Sequence, residues 1–567
     1  MEQIFLIQKI IKTYNFKYLK PLKSPYYYQK AILEVIGQLK QENITPLTFS
    51  AILKNEEKLF ILEKKDLTKA KKEERQNQIN KNKELVKVYD SYQKYLIKEG
   101  KYDYNDMILF VLKALAKDNE LLSHYQEKFQ YILVDEYQDT NSAQNEIIKL
   151  LASFYEIPNI FVVGDDEQSI FRFQGASMEN ILAFQQDWPA TKIIVLESNY
   201  RSGQKILDAS RAVISQNKNQ IFNRLKISKK LISQINNLSG EIFVAQFSGG
   251  SIENFFVAKE ILHLTKTKKI PAAEIAVLYK EHRDGKELID FLSKLNIPYQ
   301  LEVGDNILND LEINKLITFF KVINAQGKIE DNEPLLEVMH YPFFNLTALD
   351  IYKIIASATK QKKSIFEVLA ADLKPLQLEN EKKVLDFLKQ ILACRNIIHN
   401  NTFSSAFELI INQTGYLDYL LSFKDDVRHL NRLQTLFKQI QLLNTKQKDL
   451  NLAKFLEHLR LLEENQLYIK EDTIAAEFEG VKLMTAHKAK GLEFEVVFLI
   501  HLTDKHWGNK TQRKLIKLPS GLLKIQKELD EDEEERRLFY VSITRAKKIV
   551  YLTYAQSYGE IENQTLT

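Results

Sequence analysis

The hydrophobic and polar positions divide the chain into stretches of different periodicity. Apolar side chains recur at helical spacing through much of residues 1–128, where Val88, Tyr92 and Tyr95 form one stripe. From residue 129 the pattern changes to short apolar runs that end in acidic or polar residues. Such runs are typical of strands that are buried on both faces of a parallel sheet. A helical region is therefore predicted first, and an α/β region after it.

Three apolar runs predict the first parallel strands. They are FQYILVDE from residue 129, NIFVVGDD from residue 159 and TKIIVLESN from residue 191. Between the first two runs, Asn141 and Gln144 have the spacing of a capping box and predict the start of a helix. A strand, a helix and a strand at this separation indicate a parallel sheet with helices on its faces.

A second α/β region is interrupted by a long helical stretch. The runs EIFVAQF and EIAVLYK predict strands before residue 305, and GVKLMTAH, FEVVFLIH and KIVYLTY predict strands after residue 475. Residues 306–474 carry amphipathic helical patterns, for example at 380–396 and 427–443, and little strand signal. A helical insertion into one α/β domain explains this order better than a separate new domain.

Composition narrows the class of protein without naming its chemistry. The chain has 567 residues, 45% of them hydrophobic and 27% charged, which predicts several globular domains. A single cysteine, Cys394, excludes an intrachain disulfide framework. The net charge of +4 permits local basic patches for nucleic acid but does not argue for them. No apolar run reaches membrane-spanning length, and the first twenty or so residues do not form a secretory signal.

The first predicted strand ends in the acidic sequence DEYQDT. Asp135 can hold Mg²⁺ there, and Glu136 can orient or deprotonate an attacking water molecule. The carboxyl ends of parallel strands are where such sites form. An acidic turn at a strand end explains the same two residues equally well when they are taken alone.

The second strand is followed by DDEQSIFRFQGA. The amide of Gln168 can hydrogen-bond a phosphate, and Phe171 and Phe173 flank an arginine in a way that suits stacking on nucleic-acid bases. Packing of one or both phenylalanines into a protein core remains an alternative, since alternate positions place them on one side of an extended segment.

Later stretches add basic and aromatic candidates. Arg201 suits a phosphate and Tyr200 a base, in the loop that follows the third predicted strand. Thr485 and His487 lie in a strand-end loop with several lysines, which suits a nucleic-acid backbone. Arg545, near the end of a charged helix, has the properties of an arginine finger. Each stretch taken alone is also explained by an ordinary loop, a structural histidine or a solvated helix face.

Together and in order, these stretches resemble one set of helicase motifs. VDEYQDT, VGDDEQSIFRFQGA, NYRS, TAHKAKGLEF and EERRLFYVSITRA closely resemble motifs of the UvrD/Rep/PcrA family of superfamily 1 DNA helicases. YDYNDMI at 102–108 resembles the segment before the acidic motif of that family. The resemblance covers about residues 100–555.

The resemblance implies an ATP-driven motor that moves 3′ to 5′ on single-stranded DNA and unwinds duplexes in repair or replication. It implies the cofactors ATP and Mg²⁺, single-stranded and duplex DNA as partners, no membrane, and a cytoplasmic, nucleoid-associated place in a prokaryotic cell. The implied fold is a pair of RecA-like parallel-sheet lobes, each with a mostly helical insertion. The ranges are 1–128 for the first insertion, 129–194 for part of the first lobe, 195–305 with 475–567 for the second lobe, and 306–474 for its insertion.

The resemblance also assigns roles around the nucleotide. Asp135 matches the acid linked to Mg²⁺, and Glu136 matches the acid that activates water. The positions that match γ-phosphate contacts are Gln168, Arg201 and, as an arginine finger from the second lobe, Arg545.

Further matched positions lie at the nucleoside and on the DNA side. Tyr200 matches the residue that stacks on adenine, and Glu493 matches a ribose contact. The DNA-side positions are Phe171, Phe173, Thr485 and His487. Gln174 departs from the more usual arginine, which puts one ionic contact in doubt.

A phosphate loop, G-x-x-x-x-G-K-[ST], is expected in this family but is not found in the sequence. The three Gly-Lys pairs begin at Gly100, Gly285 and Gly327, and none is followed by Ser or Thr. The first lobe is therefore expected to be incomplete. Three explanations stay open: an N-terminally truncated product, a separate chain that supplies the Walker A half-lobe, or a non-catalytic DNA-binding or scaffold relative.

Overall fold

The computed structural model describes residues 2–64, 67–171, 178–218, 229–235, 239–301, 306–423, 426–447, 449–465, 467–471, 480–509, 514–519, 522 and 531–559. The chain divides into two compact units, one of residues 1–300 with 478–567 and one of residues 301–477. Parallel sheets and many helices make this a mixed α/β protein, which confirms the predicted fold class. The sequence match for Phe173 and Gln174 lies outside the described residues.

Helices make up the N-terminal part of the larger unit. They are α1 (Glu2–Thr13), α2 (Gln29–Gln41), α3 (Pro46–Glu63), α4 (Lys69–Lys98), α5 (Tyr104–Lys117) and α6 (Asn119–Lys128). The predicted stripe lies in their core, because Val88 and Tyr92 are fully buried and Tyr95 packs against the same cluster. Ile516, from a loop far along the chain, completes this core. The aromatic stripe of α4 is therefore a packing surface.

A small parallel sheet follows, which we call the first sheet. It consists of β1 (Ile132–Val134) and β2 (Ile160–Val162), paired in register as Leu133 to Phe161. Between them lies α7 (Ser142–Ala152), and its predicted capping box is confirmed by Asn141 and Gln144. α8 (Met178–Asp187) comes after β2.

The predicted third strand at 191–199 is wrong for most of its length. Residues 192–197 form no strand, and only β3 (Ser198–Asn199) pairs, in parallel, with β4 (Ile232–Ser233). A strand requires a neighbour with free backbone groups, and among the described residues no backbone hydrogen bond joins 192–196 to another strand. Ile194 and Leu196 are accordingly exposed.

The second sheet is larger and is buried at its centre. Its strands, in spatial order, are β5 (Glu241–Phe247), β10 (Ala546–Ala555), β9 (Phe494–Leu499), β6 (Ile275–Tyr279), β8 (Val481–Thr485) and β7 (Tyr299–Leu301). All five residues of β6 are buried, which explains its unbroken apolar sequence. The associated helices are α9 (Gln204–Ile214), α10 (Gly250–Lys266), α11 (Lys286–Lys294) and α21 (Glu531–Ile543).

The second unit, residues 301–477, is helical, as its sequence pattern predicts. Its helices are α12 (Leu311–Asn324), α13 (Asn332–Met339), α14 (Ala348–Gln361), α15 (Ile365–Leu369), α16 (Glu381–Asn400), α17 (Phe403–Gln413), α18 (Tyr416–Leu421), α19 (Asp426–Lys446) and α20 (Leu452–Glu464). Across the part of the chain that the structure describes, no helix combines the length and the apolarity needed to cross a membrane.

Candidate functional site

The acidic pair Asp135 and Glu136 follows β1 directly. Both residues are exposed, and the backbone N–H of Glu136 donates to Asp135 Oδ1 at 2.8 Å. Glu136 has a left-handed backbone, with φ of 49°, which is uncommon for a residue other than glycine. This turn ends the strand and leaves both carboxylates accessible at the carboxyl end of the first sheet. Their oxygen atoms fit a hard cation such as Mg²⁺.

Gln138 joins the two strand-end loops of the first sheet. Its Nε2 donates to Glu136 Oε2, and its Oε1 accepts from the backbone N–H of Asp165 at 2.9 Å. A Cβ atom at Gly164 would lie 2.7 Å from the same Oε1, so glycine is needed for this approach. The sequence motif contained Gln138, but sequence reasoning did not single it out. Its position suggests that it orients the carboxylate of Glu136.

Gln168 and Arg545 are far apart in the sequence but meet in the structure. Gln168 donates from Nε2 to Asp165 Oδ2 at 2.8 Å and accepts at Oε1 from Arg545 Nη2 at 3.5 Å. Arg545 is only 2% exposed, and its Nε donates to the carbonyl of Val541 at 2.9 Å. The guanidinium of Arg545 is therefore held by the second-sheet region while it reaches the loop after β2.

Arg201 and Glu493 form an ion pair beside this contact. Arg201 Nε lies 2.7 Å from Glu493 Oε2, and Lys547 Nζ lies 3.1 Å from Glu493 Oε1. Hydrogen bonds from Arg201 and Lys547 lower the pKa of Glu493. Tyr200 is 77% exposed, so its ring is open to a planar ligand.

Two guanidinium groups converge at this place. Burial, and next the charge of Arg201, lower the pKa of Arg545 to about 10. Arg545 thus stays protonated at neutral pH, and repulsion between the two cations would be relieved by an anion. Arginine forks suit phosphate oxygens. The arrangement is well suited to bind a phosphoryl group.

Lys490 links the loop after β8 to the acidic turn of the first sheet. It donates to Asp139 Oδ2 and, at 2.9 Å, to the carbonyl of Gln168, and it lies 3.6 Å from Glu136 Oε2. Burial raises the pKa of Asp139, an effect that Lys490 opposes. From the sequence, this lysine was expected among the basic groups that suit a nucleic-acid backbone, whereas in the structure it contacts the acidic turn of the first sheet.

The DNA-side candidates lie close to the second sheet. Phe171 is half-buried against the second-sheet core, with its ring centroid 5.2 Å from Lys490 Nζ. That packing agrees with the alternative noted for this phenylalanine and leaves its DNA role a prediction. Thr485 ends β8, and His487 follows it, half-buried. Burial, with a smaller effect of Lys280, lowers the pKa of His487 to about 4, so the imidazole is neutral at physiological pH.

Two family models match the chain over most of its length. The UvrD-like helicase C-terminal domain matches residues 194–557, and the UvrD/REP helicase N-terminal domain matches residues 5–189. The chain belongs to the UvrD/Rep family of helicases. The resemblance read from the motifs is thereby confirmed.

Curated relatives agree with this assignment. The ATP-dependent DNA helicase PcrA of Staphylococcus epidermidis is 31% identical over 542 residues, which cover 93% of this chain and 68% of the relative. PcrA of Bacillus subtilis is 32% identical over 477 residues, covering 83% of this chain and 60% of the relative. The ATP-dependent DNA helicase Rep of Buchnera aphidicola is 28% identical over 584 residues, covering 99% of this chain and 79% of the relative.

Proposed function

We propose that the chain works as an ATP-dependent DNA helicase or translocase of the UvrD type, moving 3′ to 5′ on single-stranded DNA in repair or replication. The observation that carries the proposal is the meeting of Gln168, from the loop after β2, with Arg545, from the turn between α21 and β10. A ligand at this point is contacted from both sheets, so its binding and release can change how the two regions pack.

The residues around this point suit the steps of phosphoryl transfer. Asp135 would hold Mg²⁺, which neutralises phosphate charge, and Glu136 would orient the attacking water molecule. Arg201, Gln168 and Arg545 would contact the γ-phosphate and stabilise the charge that develops on it. Tyr200 would stack on adenine, and Glu493 would accept from the ribose once Arg201 turns to phosphate.

The DNA side uses neutral and aromatic contacts. Thr485 and His487 would hydrogen-bond the DNA backbone, and Phe171 with Phe173 would stack on bases. Stacking is worth about 1–3 kcal/mol per base and is tolerant of sequence, which suits a motor that moves along any strand. Because His487 is held neutral, its contact would be a hydrogen bond and not an ion pair.

We further propose that additional polypeptide covers the first sheet and supplies the phosphate loop. Leu133 on β1 and Phe161 on β2 are 76% and 54% exposed. Parallel sheets usually have both faces covered, and exposed apolar surface of this kind marks an interaction site. Further strands and helices against this surface would place phosphates opposite Asp135 and Glu136.

A second candidate function is a DNA-binding or scaffold subunit without ATP turnover. The observation in its favour is that none of the Gly-Lys pairs of the sequence is followed by Ser or Thr. A subunit of this kind would use the DNA-side residues and would not need the nucleotide contacts.

Duplexes with a single-stranded tail test the two candidates. The chain would be combined with a polypeptide that carries G-x-x-x-x-G-K-[ST], and the assembled species isolated by gel filtration. We expect ATP-dependent unwinding from a 3′ tail and not from a 5′ tail, with loss of unwinding in Glu136→Gln. Tight DNA binding by the assembled species without movement on either tail would instead favour the scaffold subunit, and unwinding from a 5′ tail would contradict the proposed direction.

A further inference from the structure

Lys229 is a largely buried lysine that the functional motifs do not include. It lies three residues before β4, after helix α9, whose Ile206 and Ile214 pack in the second-sheet core. Its side chain is 12% exposed. Burying an ammonium group is costly unless its charge is compensated, so the groups that contact Nζ indicate the role of Lys229.

Two carboxylates of the first-sheet region compensate the charge of Lys229. Its Nζ lies 2.8 Å from Asp165 Oδ1 and 2.9 Å from Glu167 Oε2. Both acids belong to the loop after β2, which also carries Gln168. Burial alone would raise the pKa of Asp165, but the charge and hydrogen bond of Lys229, together with hydrogen bonds from Gln168 and the Glu167 backbone, lower it. The ion pair of Lys229 with Asp165 therefore bridges the two sheet regions, while burial raises the pKa of the neighbouring Glu167 carboxyl.

Asp165 also hydrogen-bonds Gln168, so it links Lys229 to that amide. Its Oδ2 accepts from Gln168 Nε2 at 2.8 Å, while its Oδ1 accepts from the backbone N–H of Glu167 at 3.1 Å. With Nε2 turned toward Asp165, the other end of the amide, Oε1, faces Arg545. The ionised state of Asp165 thus sets which atom of the amide faces Arg545.

The same loop is held from the second-sheet region at more than one point. The Tyr540 hydroxyl of α21 hydrogen-bonds Glu167, and Arg545 contacts Gln168. Of these three groups, Lys229 is the one whose positive charge contacts both Asp165 and Glu167. Without it, two adjacent carboxylates would repel each other in a poorly hydrated place.

We propose that Lys229 is a positioning residue for the phosphate-contacting amide: through its contacts with Asp165 and Glu167 it fixes the orientation of Gln168 and couples this loop to the second-sheet region. This inference rests on the proposed function, because the coupling acts on nucleotide only if Gln168 contacts its phosphate. The local geometry that it requires does not depend on the nucleotide.

The first measurement uses the whole chain without nucleotide. Hydrogen exchange would be followed at the amides of Glu167 and Gln168, which donate to Asp165 at 3.1 and 3.0 Å. We expect Lys229→Met to speed exchange at these amides by about tenfold or more, because the loop loses its anchor. Lys229→Arg should restore protection, and Lys230→Met, at the exposed neighbouring lysine, should change nothing. Unchanged exchange in Lys229→Met would overturn the proposal.

The second measurement separates positioning from simple stability. For the chain assembled with a polypeptide that carries a phosphate loop, the affinity for a fluorescent oligothymidine would be measured with and without a non-hydrolysable ATP analogue and Mg²⁺. In the unchanged chain we expect the two affinities to differ by about fivefold or more. Lys229→Met should reduce this ratio to about one while the affinity without nucleotide changes by less than about twofold, and Lys229→Arg should recover the ratio.

The possible results are distinguishable. If the ratio of DNA affinities with and without nucleotide is unchanged in Lys229→Met, the positioning role is overturned. An equal loss of DNA affinity with and without nucleotide also overturns it, because that result indicates a structural role. A ratio of about one in the unchanged chain counts against the proposed nucleotide coupling itself. In that case the exchange measurement still decides whether Lys229 anchors the loop.

Discussion

The two parallel sheets of the larger unit bury their apolar residues to very different degrees. All five residues of β6 are buried, and Phe498 of β9 is fully buried. In the first sheet, the paired residues Leu133 and Phe161 are mostly exposed. The same kind of sequence, a short apolar run that ends in polar residues, thus forms a buried core in the second sheet and an exposed apolar surface in the first sheet. The difference supports our proposal that the first sheet receives further polypeptide.

The largest expected difference is between truncations of a buried phenylalanine in the second sheet and an exposed one in the first sheet. Phe498→Ala should lower the free energy of unfolding by about 3–5 kcal/mol, because it opens a cavity in a packed core. Phe161→Ala should change it by about 0.5 kcal/mol or less, because the ring is already largely in water. Urea unfolding would be followed by the fluorescence of Trp507, which lies in the second-sheet core, in a Trp188→Phe background. Equal losses at the two sites would refute the comparison.

A smaller effect is expected from His487, the half-buried histidine beside the second sheet. The pKa of His487 is about 4 in the folded chain, against an ordinary value of 6.5. Between these two values the unfolded chain binds more protons, so stability should fall as the pH drops from 6.5 towards 4. The total loss would be up to about 3 kcal/mol.

Variants isolate this titration. His487→Asn should flatten the dependence of unfolding free energy on pH in this window. His124→Asn, at an exposed histidine of α6, should leave the slope as it is. An unchanged slope in His487→Asn would show that the second-sheet region does not exclude water from this imidazole.

The smallest effect on stability should come from the open face of the first sheet. The double change Leu133→Ser with Phe161→Ser should alter the unfolding free energy little but lower the fluorescence of a bound hydrophobic dye about twofold. Leu62→Ser, at an exposed leucine of α3, is the matched control and should leave dye binding nearly unchanged. If both variants reduced dye binding equally, the first sheet would not be a distinct apolar surface.

Elements with a local signal were predicted well from the sequence. The capping box at Asn141 and Gln144 needs only nearby residues, and five of the six strands of the second sheet lie in the predicted apolar runs; the short β7 was not predicted. The strand expected at 191–199 was wrong because strand pairing depends on a distant neighbour that periodicity does not reveal.

The candidate site shows the same limit. Motif order indicated Gln168 and Arg545 separately, yet their contact joins residues 377 positions apart and could be seen only in three dimensions. Lys229 carries no pattern of its own among many lysines, and its role depends on which carboxylates surround it after folding. Gln138 was present in a recognised motif but gained a role only through its contact with Glu136.

ATP turnover stimulated by single-stranded DNA is the most direct test of the central claim. It would be measured for the chain alone, for the chain assembled with a polypeptide that carries a phosphate loop, and for both in the Glu136→Gln form. We predict DNA binding in all four samples and turnover only in the assembled sample with Glu136 intact. Turnover by the chain alone that is lost in Glu136→Gln would contradict the need for a supplied loop, and DNA binding without turnover in every sample would contradict the motor itself.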